Sequence, residues 1–223
     1  MAHALAALSL LETRVVGVLY EKQHTVADTY PLTLNALVSG CNQKTSRSPV
    51  MDASDAEVQA AIDSLKGYNL VMETSGGRVS RYSHNLERVL QVPSQSAALL
   101  TVLMLRGPQT PGELRIGSER LHRFADISSV EGFLNELAER PAGALVTELP
   151  RSPGSRESRW AHLLSGARAV DTTSSALERP AGDATLGEIS ALKANVARLE
   201  AEVDTLTRVV ARICADLGIP PPD

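Results

Sequence analysis

Leu70-Val71-Met72-Glu73 followed by Arg81-Tyr82-Ser83-His84 returns further along the chain as Leu145-Val146-Thr147-Glu148 followed by Arg159-Trp160-Ala161-His162. Each pair reads as two short strands joined by a turn. The first turn contains Ser75-Gly76-Gly77 and the second Pro153-Gly154, residues that supply the backbone freedom a hairpin needs. The spacing predicts strands over 70–73 and 78–82 in the first copy and over 145–148 with a return at 159–160 in the second.

The segments upstream of each hairpin also correspond. Leu8, Leu11, Val15, Val18 and Leu19 recur at helical spacing and predict a helix over 8–21. Pro31 is placed to open a second helix, with Leu34, Leu37, Val38 and Cys41 on its buried side. Ser54-Asp55-Ala56-Glu57 is a capping-box pattern for a third, with Val58, Ala61, Ile62 and Leu65 inside and Gly67 at its end. In the second copy, 97–105 reads as an apolar helix. Thr110-Pro111-Gly112-Glu113 and Ser128-Ser129-Val130-Glu131 then read as two further capping boxes. The separation is 74 residues from Ser54 to Ser128 and 78 from Arg81 to Arg159. The extra residues fall at the tip of the second hairpin, where insertion is tolerated.

Helix, helix, helix, hairpin is the winged-helix order, a variant of helix-turn-helix. The expected fold class is therefore mainly α with small β-hairpin wings, as tandem winged-helix domains at 1–90 and 91–166. Residues 167–185 are rich in Gly, Ala, Ser, Thr, Pro and Asp and read as a linker. Over 186–219 the apolar residues alternate at spacings of three and four. Ile189, Val196, Val203, Val210 and Leu217 take one heptad position, and Leu192, Leu199, Leu206 and Ile213 the other. Mostly β-branched a positions with mostly Leu d positions favour a parallel two-stranded coiled coil, so the chain's first expected partner is itself, as a homodimer.

Several stretches resemble the bacterial YceH-like family: Leu11 to Val15, Tyr30 to Leu37, Cys41 to Arg47, Leu105 to Arg115 and Leu121 to Asp126. The resemblance spans about residues 8–165. It implies a tandem winged-helix fold and no established activity.

The 223 residues carry a net charge of −4, with 43% hydrophobic and only 3% aromatic residues. Cores must therefore rest on Leu, Val, Ile and Ala. The acidity is concentrated in the tail, and the first 166 residues are close to neutral, with 16 Lys/Arg against 17 Asp/Glu. That balance removes a nonspecific polycation but leaves room for a local basic patch. Cys41 and Cys214 lack metal-ligand spacing, and a reducing cytoplasm fits them. The first residues do not read as a signal peptide, and no apolar run is long enough to span a membrane. His3, His24, His84, His122 and His162 are scattered, and no nucleophile elbow, phosphate loop or dinucleotide fingerprint is present. The expectation is a protein that is not an enzyme and needs no cofactor or metal.

Two kinds of ligand remain. Double-stranded DNA would be gripped at its phosphates by Lys44 and Arg47 between helices, Arg78 on the first wing, Arg115 and Arg120 around the second copy's middle helix, and Arg151 and Arg156 on its wing. Asn42, Gln43, Gln59 or Asn135 would then read bases. Against this, Asp55, Glu57, Asp63, Glu131, Glu136 and Glu139 lie on or near the outer faces of the two third helices, where they would repel phosphate. Another protein is the alternative, with the same faces used by an adaptor. The polar stretch Cys41 to Pro49 is either a functional surface or a loop that bonds its own backbone through Asn42, Thr45 and Ser46. Arg81 and Arg159 have a structural role as readily as a binding one.

Overall fold

The computed structural model describes residues 7–75, 79–151 and 157–166. The expected linker at 167–185 and heptad run at 186–219 lie outside the described residues, as do Arg78 and Arg156.

The described chain is mainly helical with small antiparallel sheets. Helix α1 (Leu10–Thr25) starts at Ser9, whose hydroxyl accepts from the Glu12 N–H while the Glu12 carboxylate accepts from the Ser9 N–H. This capping box was not anticipated, and the helix runs one turn further than the apolar spacing indicated. Pro31 does not open the next helix. It follows a cis peptide bond and leads into a short strand, β1 (Leu32–Thr33), after which Thr33 caps α2 (Leu34–Cys41). Helix α3 (Asp55–Gly67) carries the expected Ser54–Glu57 box. Strands β2 (Val71–Thr74) and β3 (Arg81–His84) form the hairpin, and β1 pairs with β3 to make a sheet ordered β1-β3-β2.

A short helix, α4 (Leu86–Leu90), leads to the second copy. Helix α5 (Ser94–Arg106) comes first, then α6 (Pro111–Gly117), with the expected Thr110–Glu113 box and Pro at its first position. Helix α7 (Ile127–Ala138) is capped by Asp126 rather than by Ser128. The Asp126 carboxylate accepts from the Ser129 N–H at 2.7 Å and from its hydroxyl. An anionic acceptor at the positive end of a helix is the stronger cap, so the helix begins earlier than expected. Strands β4 (Val146–Glu148) and β5 (Trp160–His162) close the second hairpin.

The two hairpins share one register. Val71 faces His84 as Val146 faces His162, and Glu73 faces Tyr82 as Glu148 faces Trp160. The third-strand position is shared too. Leu32 pairs with Tyr82, and the residue preceding the α6 cap, Gln109, bridges Trp160. The repeat seen in the sequence is thus a repeat of pairing geometry.

Two helices are buried all round rather than along one stripe. Every residue from Thr13 to Tyr20 of α1 and from Ser96 to Leu105 of α5 is buried. Such helices occur only at the centre of a core. These two pack against one another, so the buried residues of both copies form one continuous apolar cluster. The close approach requires glycine. A Cβ on Gly17 would meet Leu105 Cδ2 at 2.9 Å, and one on Gly40 would meet Val18 Cγ1 at 2.5 Å.

Candidate nucleic-acid interface

The solvent-facing sides of the two third helices are acidic. On α3, Asp55, Glu57 and Asp63 are exposed, and Lys66 is exposed but paired with Glu73 across to the hairpin at 2.5 Å. On α7 and its C-cap, Glu131, Glu136 and Glu139 are exposed. Capping bonds from Ser54 hold the Glu57 carboxyl below its ordinary range, and bonds from Ser129 do the same for Asp126. A cleft of about 320 Å³ lies between α7 and the second hairpin. Among the described residues, Glu131, Glu148, Glu157 and Arg151 line it, with Pro111, Ile127 and Trp160 as its apolar part.

The cations named from the sequence are not one surface. Lys44, Arg115, Arg120 and Arg151 are exposed. Arg115 donates to the Ala125 carbonyl at 3.4 Å and Arg151 to Ser158 Oγ at 3.4 Å. Arg47 is a correction. It is only 6% exposed, its guanidinium bonding both carboxylate oxygens of Glu21 at 2.6 and 3.2 Å and the Gly40 carbonyl at 3.1 Å. A guanidinium saturated by interior acceptors cannot reach a phosphate.

Three of the four expected base readers are also committed. Asn42 donates to the Ala53 carbonyl and accepts from the Ala53 N–H, both at 2.8 Å. Gln59 accepts from Tyr82 Oη at 3.1 Å and donates to Asp63 at 3.1 Å. Gln43 donates to Thr45 Oγ1 at 3.2 Å. Asn135 is exposed beside the α7 cleft.

The loop from Cys41 to Pro49 bonds its own framework, with arginines supplying much of it. Arg14, fully buried, donates to the carbonyls of Cys41 and Pro49 at 3.0 and 2.7 Å, and Ser48 N–H donates to the Leu105 carbonyl at 2.8 Å. Burial and the nearby Arg47 lower the affinity of Arg14 for its proton. Burial pushes the Cys41 thiol up to about 12, so it is neither a nucleophile nor a thiolate ligand.

Arg81 and Arg159 do the same job in both copies. Arg81 donates to the Pro31 carbonyl at 2.8 Å, and Arg159 to the Pro108 carbonyl at 3.0 Å, tying the start of each returning hairpin strand to the turn that precedes a helix cap. Arg159 also pairs with both oxygens of Glu113. The histidines at matching register, His84 and His162, are pushed down to about 4, chiefly by burial, and stay neutral at physiological pH. Among the described residues no group of three His, Cys, Asp or Glu could hold a metal ion, and no helix is long and apolar enough to cross a membrane.

A chain with a duplicated helical unit and matched hairpins finds relatives among bacterial proteins of one family. Residues 8–155 match the family described as Protein of unknown function, DUF480. A UPF0502 protein of Methylibium petroleiphilum is 61% identical over 97% of this chain and 92% of its own length. One from Dechloromonas aromatica is 60% identical over 92% and 95%, and one from Burkholderia lata 57% identical over 97% and 92%. The chain belongs to the DUF480 (UPF0502) family.

Proposed function

We propose that this protein is a non-enzymatic adaptor in which two winged-helix units, paired into a dimer by the heptad tail, present their third helices to a protein partner. The supporting observation is the acidity of both third-helix faces. A phosphate placed 4 Å from any of these carboxylates would be repelled by on the order of 1 kcal/mol even in water, and a winged helix that reads DNA puts this face in the groove. Charge complementarity favours a basic partner segment with an apolar residue for the Ile127–Trp160 side of the α7 cleft.

A photo-crosslinking residue placed at Ala60 on α3 or Asn135 on α7 in the cell tests this directly, with Arg88 on α4 as control. Discrete protein adducts at the first two positions, lost on Glu131→Lys with Glu136→Lys for the α7 site, are expected. Nucleic-acid adducts, or adducts indifferent to charge reversal, would overturn it. The dimer has its own test. Light scattering should give twice the chain mass, and Val203→Asp, placed at an a position, should halve it.

DNA binding is the second reading. It draws on Lys44 and Arg120, which are exposed and have no ion-pair partner among the described residues. Their grip would be on the backbone and indifferent to sequence.

A further inference from the structure

A second cleft of about 320 Å³ lies where the two copies meet, between the end of α1, the loop after α2, and the ends of α5 and α6. Its rim carries Lys22, Arg106 and Arg120, and its floor is formed by Val102, Leu105 and Leu121. Glu21 is the one carboxylate on the lining; Arg47 bonds both its oxygens, and Lys22 Nζ lies 3.7 Å from it.

Basic residues in a last helical turn ordinarily answer the negative end of the helix. That explains Lys22 on α1 and Arg106 on α5 taken one at a time. It does not explain their convergence with Arg120 on one concavity. If each of the three helix ends contributes about half a negative charge, the three cations on the rim still leave a surplus of roughly one to two positive charges once Glu21 is taken as neutralised by Arg47. Arg106 is partly buried, yet neither it nor Arg120 has a hydrogen-bond or ion-pair partner among the described residues. Gly117 keeps the space open. A Cβ there would crowd Val102 Cγ1 at 3.0 Å and come into ordinary contact with Arg106 Nη1 at 3.6 Å. Ser46, on the same lining, sits in the left-handed region at φ 58°, a strained conformation of the kind found at ligand clamps.

We infer that this inter-repeat cleft binds a small phosphate monoester. Two guanidinium forks and an ammonium match the charge and acceptor geometry of a dianionic phosphate. The apolar floor suits a short carbon skeleton, and the volume lies at the lower end of small-ligand sites. The site is independent of the third-helix faces and of the partner they take.

The full chain should be titrated with ribose 5-phosphate, inorganic phosphate and ribose at matched ionic strength, by calorimetry and thermal unfolding. Both phosphates should bind and raise Tm, and ribose should do neither. Arg106→Gln and Arg120→Gln should each weaken binding about tenfold, the scale of a lost charged hydrogen bond, and Arg88→Gln should change nothing. Because Arg120 is exposed, Arg120→Gln remains informative if Arg106→Gln folds poorly. Absence of binding, equal binding of ribose, or equal loss in Arg88→Gln would overturn the inference. So would an Arg106-dependent affinity for duplex DNA with none for the free phosphates.

Discussion

The two copies have the same hairpin register but are held together by different chemistry. The first leans on polar scaffolding. Arg14 and Arg47 are buried, between them bonding four backbone carbonyls and the Glu21 carboxylate, and a third strand is fully formed. The second has no buried arginine among its described residues. Its equivalent of the third strand is one bridge at Gln109, and its Arg159 adds a half-exposed ion pair to Glu113. Backbone pairing is set by the alternation of strand residues and is hard to change without turning side chains to the wrong face. The loops that bring the helices to the hairpin are under no such constraint, and there the two copies differ.

The largest expected effect tests what the copies share. Leu103→Ala should cost about 3–4 kcal/mol in urea denaturation, because Leu103 is fully buried on α5, the helix that packs against α1. Unfolding should stay a single transition by helical and near-ultraviolet signals. Two separated transitions would mean that the copies do not share one cooperative core. Next comes the contrast between arginines. Arg47→Ala should destabilise by about 3 kcal/mol, since it strands a partly buried carboxylate and several carbonyls. Arg159→Ala should cost about 1 kcal/mol or less, its pair with Glu113 being screened by solvent. Similar losses would erase the distinction.

A smaller effect concerns pH. His162 has a folded-state pKa of about 4 against an ordinary value of 6.5, so the unfolded chain binds the extra proton. Its neutral form favours the fold fully above pH 6.5, and that contribution is lost as pH falls from 6.5 toward 4. His162 as a whole keeps some solvent exposure although its Nδ1 is buried, so the loss should be about 1–2 kcal/mol. His162→Leu should flatten this part of the stability curve by that amount, and an unchanged slope would place the titration elsewhere.

Much of the fold was legible from the chain because the signals were local. Ser54–Glu57 and Thr110–Glu113 formed as read, and the aligned strand motifs came out in matching register. What was missed depended on distance. Nothing adjacent to Arg47 in sequence announces Glu21, 26 residues away, as its partner. The all-round burial of α1 and α5 arises only when the copies meet. Asp126 was passed over for Ser128 because two capping patterns overlap and the choice depends on where α7 must start to bury Val130 and Leu134. The candidate site was legible in its acidity and not in its cations. An arginine's sequence neighbours say little about whether its long side chain turns out to solvent or in to a carbonyl.

The measurement that bears most directly on acidic third helices facing a protein is a salt titration of the full chain against random duplex DNA, followed by fluorescence anisotropy. The account predicts no measurable binding at low salt, or a log–log slope near zero. A slope corresponding to several phosphate contacts, reduced by about one unit in Arg120→Gln, would contradict it.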